Sequence, residues 1–172
     1  PDILRLLPFE PPDGISTTNS PDFVIERRME SDADDLFEML TKYRPRHRCV
    51  EGVEESHFTE NEDTRVCTEH VCVINGKHFN FTTVIKKVPV HQLVYGELST
   101  DPPPVDKLYQ FYIIESVSEH TSLLRVEQYW KMKTLFQKIL MATIGKKQFR
   151  KRLEKSIDKL ETLMGSNPLL VK

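Results

Sequence analysis

Thr68, His70, Cys72 and Thr83 are spaced so that one hairpin gathers an imidazole, a thiol and two hydroxyls on one face. The spacing rests on the segment Ile74-Asn75-Gly76-Lys77, because Asn-Gly is the preferred centre of a two-residue type I′ turn. If Ile74 faces Lys77, then Cys72 faces Phe79, His70 faces Phe81, Thr68 faces Thr83 and Val66 faces Ile85. Side chains alternate across a strand, so this face is mostly apolar. Arg65, Cys67, Glu69, Asn80, Thr82 and Lys86 fall on the other face and suit water. A histidine on an apolar face is a candidate general acid or base, because burial and a neighbouring charge both tune an ionisable group. A preceding turn through Asn61 to Asp63 sets Glu54 opposite His70, and a proton-moving couple of His70 with Glu54, or with Tyr112, is then the catalytic alternative. The same groups could instead hold a ligand's carbonyl or hydroxyl. The plainest reading is a core histidine, with Glu54 in solvent.

A second hairpin supplies the rest of the inward set. Leu108 to Ile114 turns through Ser118-Glu119-His120 and returns from Leu123 to Trp130. Pairing Ile114 with Leu124 puts Leu108, Gln110, Tyr112, Val126, Gln128 and Trp130 on one face. With Phe79, Phe81 and Tyr95, these aromatics either stack a flat ligand or fill a closed core. The candidate ligand-binding residues are therefore His70, Thr68, Cys72, Phe79, Phe81, Thr83, Gln110, Tyr112, Gln128 and Trp130. Cys67, His70 and Cys72 are metal-ligating types, but alternation turns Cys67 away and leaves two ligands where a structural zinc takes four, so no metal is expected. The chain carries no Gly-rich phosphate loop, nucleophile elbow, Walker sequence or HExxH, and no cofactor is expected. A net charge of −2 gives nucleic acid no electrostatic footprint.

The elements that must position these residues follow from period and punctuation. Residues 1–21 read as a proline-rich leader, extended between Pro8, Pro11, Pro12, Gly14 and Pro21, with Leu4, Leu6, Leu7 and Phe9 as an apolar patch able to dock on the body. Phe23 to Glu30 reads as a strand. Ser31, with Asp34 three residues on, predicts a helix start, and Ala33 to Tyr43 a short helix stopped by Pro45. Gly52 to Trp130 reads as a meander of strands, including Leu93 to Ser99, broken at Pro102-Pro103-Pro104 because prolines cannot serve a ladder. Beyond Lys133 the period becomes helical: Leu135, Phe136, Ile139, Leu140 and Ile144, then Phe149, Leu153, Ile157, Leu160 and Met164. Gly145 is the expected kink and Gly165 the stop. A helix of about thirty residues spans roughly 45 Å, longer than one small sheet needs, so a bend or an overhang is expected. A chain of 172 residues can bury one core, and its order predicts an α+β domain: a curved antiparallel sheet of six to seven strands wrapped around a long C-terminal helix.

Phe23 to Leu40 ("FVIERRMESDADDLFEML"), Cys49 to Phe58 ("CVEGVEESHF") and Thr121 to Trp130 ("TSLLRVEQYW") with the basic helix after it resemble the START-like (SRPBCC) superfamily of polyketide cyclases and lipid-transfer domains. The resemblance spans about residues 22–164 and rests on element order; the proline-rich leader and the basic segment Arg44 to Arg48 depart from it. It implies a helix-grip domain over residues 22–165, followed by a tail at 166–172. It also implies an internal cavity that binds or carries a lipid, sterol, isoprenoid or polycyclic aromatic. A cyclase- or dehydratase-like enzyme and a protein-interaction module are the alternatives. From Lys131 to Lys159 ten basic residues stand against Glu154 and Asp158, which makes this helix either a solvated face or a peripheral contact for anionic membrane. Three cysteines that cannot all pair predict a reducing, cytoplasmic setting. A start at Pro1 rather than Met fits a piece of a longer chain. The oligomeric state is left open.

Overall fold

The computed structural model describes residues 20–42, 48–58, 66–67, 69–87, 92–100 and 102–166. Seven strands, β1 (Phe23–Met29), β2 (Val53–Phe58), β3 (Glu69–Ile74), β4 (Lys77–Lys87), β5 (Leu93–Thr100), β6 (Lys107–Ser118) and β7 (Thr121–Lys131), form one antiparallel sheet. Their order is β1-β7-β6-β5-β4-β3-β2, so β1 and β2 are the edges, and all neighbours are consecutive strands except β1, which pairs with β7. Both turns that anchor the expected registers form as the residues dictate. Asn75 and Gly76 take positive φ of 51° and 67°, the pair a type I′ turn requires, and His70 pairs with Phe81 and Cys72 with Phe79. In the other hairpin Ile114 pairs with Leu124, Tyr112 with Val126 and Gln110 with Gln128. Irregularities between Val53 and Glu55, between Thr83 and Ile85, and between Ser116 and Ser118 add residues to one side of the ladder, the device that bends a sheet.

The short helix α1 (Ala33–Thr41) begins at Ala33 as expected, but its cap lies one residue later than expected. Asp32, not Ser31, is the N-cap, accepting N–H bonds from Asp34 at 2.7 Å and Asp35 at 3.4 Å, while Ser31 is buried. A carboxylate there also meets the positive end of the helix dipole, which a serine hydroxyl does less well. The leader, Pro45 and the tail beyond residue 166 lie outside the described residues. The C-terminal helix has three parts: α2 (Leu135–Leu140), a π-helical turn at Met141–Gly145, and α3 (Lys146–Ser166). The expected kink at Gly145 is thus one wide turn. It brings Met141 inward against Val105 and Leu108, and a Cβ on Gly145 would run into the Met141 sulfur.

The concave face of the sheet, the short helix α1 and the long helix α3 share the main core. Phe23, Ile25, Leu93, Tyr95, Tyr112, Ile114, Leu124 and Val126 from the strands meet Leu36, Phe37 and Leu40 of α1 and Leu153, Ile157, Leu160 and Met164 of α3. The last four fall at the expected helical spacing, so the stripe on α3 is what the sheet wraps. On the outer face a second cluster joins Val94, Tyr109, Phe111, Ile113 and Tyr129. Beside it Tyr129 donates its hydroxyl to Glu127 at 2.7 Å, and burial, followed by that carboxylate, pushes the Tyr129 hydroxyl far above the ordinary phenol range.

Asp22, just before β1, accepts the Trp130 N–H at 2.9 Å. Burial raises its carboxyl pKa above the ordinary value, against the smaller opposing effects of that hydrogen bond and Lys146. The folded-state value lies above the unfolded one, so the fold favours the protonated form. This contribution is full below the unfolded value near about 4 and is lost as pH rises through the folded value. Asp22→Asn keeps the acceptor and removes the charge. Its urea midpoint is expected to exceed that of the parent at pH 7 and to match it at pH 3; a midpoint below the parent at pH 7 contradicts the assignment.

Candidate ligand-binding site

Between the concave face and the first half of α3 lies a cavity of about 130 Å³. Its sheet wall is made by Cys72, Phe81, Glu97, Gln110, Tyr112 and Gln128, and its helix wall by Phe149, Arg152, Leu153 and Ser156. Alternation puts these strand residues in one place: β3, β4, β5, β6 and β7 each turn every second side chain inward. Helical spacing does the same for Phe149, Arg152, Leu153 and Ser156. Glu51 closes the side of the cavity by donating its backbone N–H to Ser156 Oγ at 2.9 Å. Glu51 is itself held by Lys159 and Lys155, and the Lys159 hydrogen bond keeps its carboxyl below the usual range. Arg152 also lines two wider clefts of about 390 and 380 Å³, one against Pro103, Pro104 and Ile144, the other against Asn75 and Lys155.

The polar groups of the wall form two sets. In one, Gln128 Nε2 donates to Gln110 Oε1, and Gln110 Nε2 donates to the Tyr112 hydroxyl. Gln128 is 3% exposed, and its Oε1 has no hydrogen-bond partner among the described residues. In the other, Tyr95 donates its hydroxyl to Glu97 Oε1 at 2.5 Å, and His70 Nε2 lies 3.6 Å from the same oxygen. Glu97, Tyr95 and His70 are 2%, 0% and 1% exposed. The His70 ring stacks on Phe81 with centroids 5.3 Å apart. Thr83 and Ser99 are buried on the same face, and their hydroxyls likewise have no partner among the described residues. Buried polar atoms are nearly always satisfied by protein, water or ligand.

Five of the expected residues line the cavity: Cys72, Phe81, Gln110, Tyr112 and Gln128. His70 and Thr83 are buried on the inner face without lining it, and Phe79 is half-buried in β4. Trp130 packs between Phe23 and Phe149, at centroid distances of 5.5 and 6.0 Å, and belongs to the core. Thr68 and the turn at Asn61 to Asp63 lie outside the described residues. The Glu54–His70 couple does not form. β2 pairs four residues further along than a turn at Asn61 to Asp63 requires, so Phe58 faces His70. Glu54 sits in the β2 bulge instead, exposed, and accepts the Gly76 N–H at 3.2 Å. The carboxylate that does face His70 is Glu97, which the candidate set omits. Alternation along Leu93, Tyr95, Glu97 and Ser99 is the signal that places it inward. Among the described residues no three His, Cys, Asp or Glu side chains gather as metal ligands. No helix of the described residues is long and apolar enough to cross a membrane.

No family model and no curated protein matches the sequence. Solved structures do match the architecture. A hypothetical protein from Helicobacter pylori superposes with a TM-score of 0.73 at 10% identity, over 95% of this chain and 99% of that one. Norcoclaurine synthase from Thalictrum flavum, solved as a point mutant with a transition-state analogue, gives 0.63 at 12% identity, over 83% and 92%. Ara h 8.0201 gives 0.62 at 12% identity, over 84% and 97%. Identities this low speak for the fold and not for activity. The seven-stranded sheet gripping a C-terminal helix, shared with these proteins, gives this chain the START-like helix-grip fold.

Proposed function

We propose that the protein binds a compact apolar ligand carrying a hydrogen-bond donor, inside the cavity between the sheet and α3. The observation that carries this reading is the Gln128 Oε1 atom, buried and without a partner among the described residues, on a residue that shares its wall with apolar Phe81, Leu108, Phe149 and Leu153 as well as with polar Glu97, Gln110 and Arg152. A volume of about 130 Å³ suits one ring or a small fused ring; an engineered dry cavity of ~150 Å³ takes up benzene. A lipid chain, isoprenoid or sterol would have to extend under Arg152 into the neighbouring clefts. Apolar burial at about 25 cal/mol per Å² supplies affinity, and the Gln128-Gln110-Tyr112 chain fixes orientation. Fold relatives that include norcoclaurine synthase support a ligand-holding use of this space. The basic C-terminal helix adds a peripheral contact for anionic membrane to the same reading.

The test is a titration with 2-naphthol and with 2-methoxynaphthalene, which keeps the ring and loses the donor. Binding of 2-naphthol is expected to be about tenfold tighter, the equivalent of one net hydrogen bond of about 1.4 kcal/mol. Gln128→Leu is expected to abolish that preference and to leave 2-methoxynaphthalene unaffected. Equal binding of the two probes by the parent protein, or none of either, refutes the reading.

A further inference from the structure

The described residues expose six large hydrophobic side chains, and four of them lie within ten residues: Leu135 and Phe136, each 73% exposed, Ile139 at 55% and Ile144 at 53%. The helix α2 that bears the first three buries none of its residues. It is nonetheless well built. Thr134 and Gln137 form a capping box, Gln137 reaches the Asp106 carboxylate at 3.4 Å, and the π turn behind it is pinned by buried Met141. This is a fixed helical overhang with its apolar side in solvent. Leu135, Phe136 and Ile139, at i, i+1 and i+4, span about 100° of the helix. Scattered single hydrophobics on a surface are normal, but an ordered cluster of this size marks an interaction site.

Its surroundings decide between occupants. From Lys131 to Arg152 the sequence contains no acidic residue, and Lys131, Lys133, Lys138, Lys146, Lys147 and Arg150 are all exposed. Lys133 pairs with Asp106, Arg150 with Glu154, and Lys146 acts on Asp22, which leaves a net excess of exposed cations along this stretch. Apolar and aromatic side chains on a short helix within such a basic stretch match the boundary of an anionic bilayer, where the apolar side enters to roughly 5–10 Å and lysines meet headgroups. A second copy of the same patch would bring two sets of lysines together, which like-charge repulsion opposes. We infer that α2 and the π turn dock the protein on anionic membrane by inserting Leu135, Phe136, Ile139 and Ile144. Ile144 also lines the cleft against Pro103 and Pro104, and that cleft has Phe149 and Arg152 in common with the wall of the ligand cavity. The docked face therefore stands beside the cavity wall. This inference deepens the peripheral-contact part of the proposed function and needs nothing from the ligand part.

The experiment is flotation of the full chain with phosphatidylcholine vesicles, with and without 30% phosphatidylserine. The parent is expected to partition at least tenfold more strongly onto the anionic vesicles, and less so as salt rises from 0.1 to 0.5 M. The double variant Leu135→Glu/Phe136→Glu is expected to lose at least tenfold of that partition while keeping the parent's circular dichroism and 2-naphthol affinity, since both side chains stand in solvent. Binding that survives the double variant unchanged, or no binding to either vesicle, overturns the inference. So does a dimer in sedimentation that the double variant disperses. Because 2-naphthol affinity is read without vesicles, failure of docking and failure of the cavity are seen separately.

Discussion

Replacing Glu97 by alanine is expected to lower the unfolding free energy by about 3 kcal/mol, and replacing it by glutamine by only about 1 kcal/mol. Glu97 is the hub of the buried polar set: it takes the Tyr95 hydroxyl at 2.5 Å and lies 3.6 Å from His70 Nε2. Tyr95 is fully buried, so alanine strands its hydroxyl away from water, while glutamine still offers an oxygen. Urea unfolding of the two variants, with Tyr95→Phe as a third, reads the difference. Tyr95→Phe removes only the donor and should cost about 1 kcal/mol. If alanine and glutamine cost the same, Glu97 acts through packing and the polar hub is not a hub.

Leu153 carries the second large effect, because it belongs to the core and to the cavity wall at once. Leu153→Ala deletes buried methyl groups next to an existing void, so little can collapse to refill the space. The expected loss is about 3 kcal/mol of stability, within the range for such truncations. The same variant enlarges the cavity, and a probe one ring larger than 2-naphthol is expected to bind it at least tenfold better than it binds the parent. Leu153→Trp does the reverse: the indole occupies the cavity, and 2-naphthol affinity is expected to fall at least thirtyfold at a stability cost of about 1–3 kcal/mol from overpacking. Thermal unfolding and fluorescence titration of both variants check this. An affinity that neither variant changes places the ligand elsewhere.

The fold was readable because strong local signals fixed two registers. Asn75-Gly76 determined one hairpin, and the alternation through Tyr112 and Val126 determined the other; the rest of the sheet follows from antiparallel order. The stripe Leu153, Ile157, Leu160 and Met164 then told which helix the sheet must hold. The site was half readable. Gln110, Tyr112 and Gln128 fall out of the second register, whereas the Glu54 assignment relied on a loop whose length no residue pattern fixes, and a four-residue offset moved the carboxylate away. Glu97 escaped because acidic residues in strands are usually on the wet face, and only its place between Tyr95 and Ser99 says otherwise. Phe149 and Leu153 of the helix wall belong to the legible stripe, but its polar half was invisible for another reason. Arg152 and Ser156 sit beside the apolar stripe, and periodicity alone assigns polar neighbours of a stripe to solvent. The bend at Gly145 was foreseeable from the glycine, but the π turn was not, since it depends on Met141 finding Val105 and Leu108 in three dimensions.

The polar sets and the cavity belong to one physical scheme. The sheet curves at its bulges, α3 packs into the concavity, and the space left over is lined by Tyr112 and Leu153 among others, with Arg152 also on its wall. In the proposed reading, the apolar part of the wall supplies affinity without direction, and the Gln128 oxygen supplies direction. His70 lies behind Phe81 and Glu97, where it supports the wall and does not reach the open space.

The most direct test of this scheme is to locate 2-naphthol on the protein by NMR, through intermolecular NOEs to labelled side chains. The scheme predicts contacts from the naphthyl protons to Tyr112, Phe149 and Leu153, with the Gln128 side-chain amide shifted on binding. Contacts confined to Leu135, Phe136 and Ile139 on the outer helix, with Gln128 and Leu153 unmoved, would contradict it.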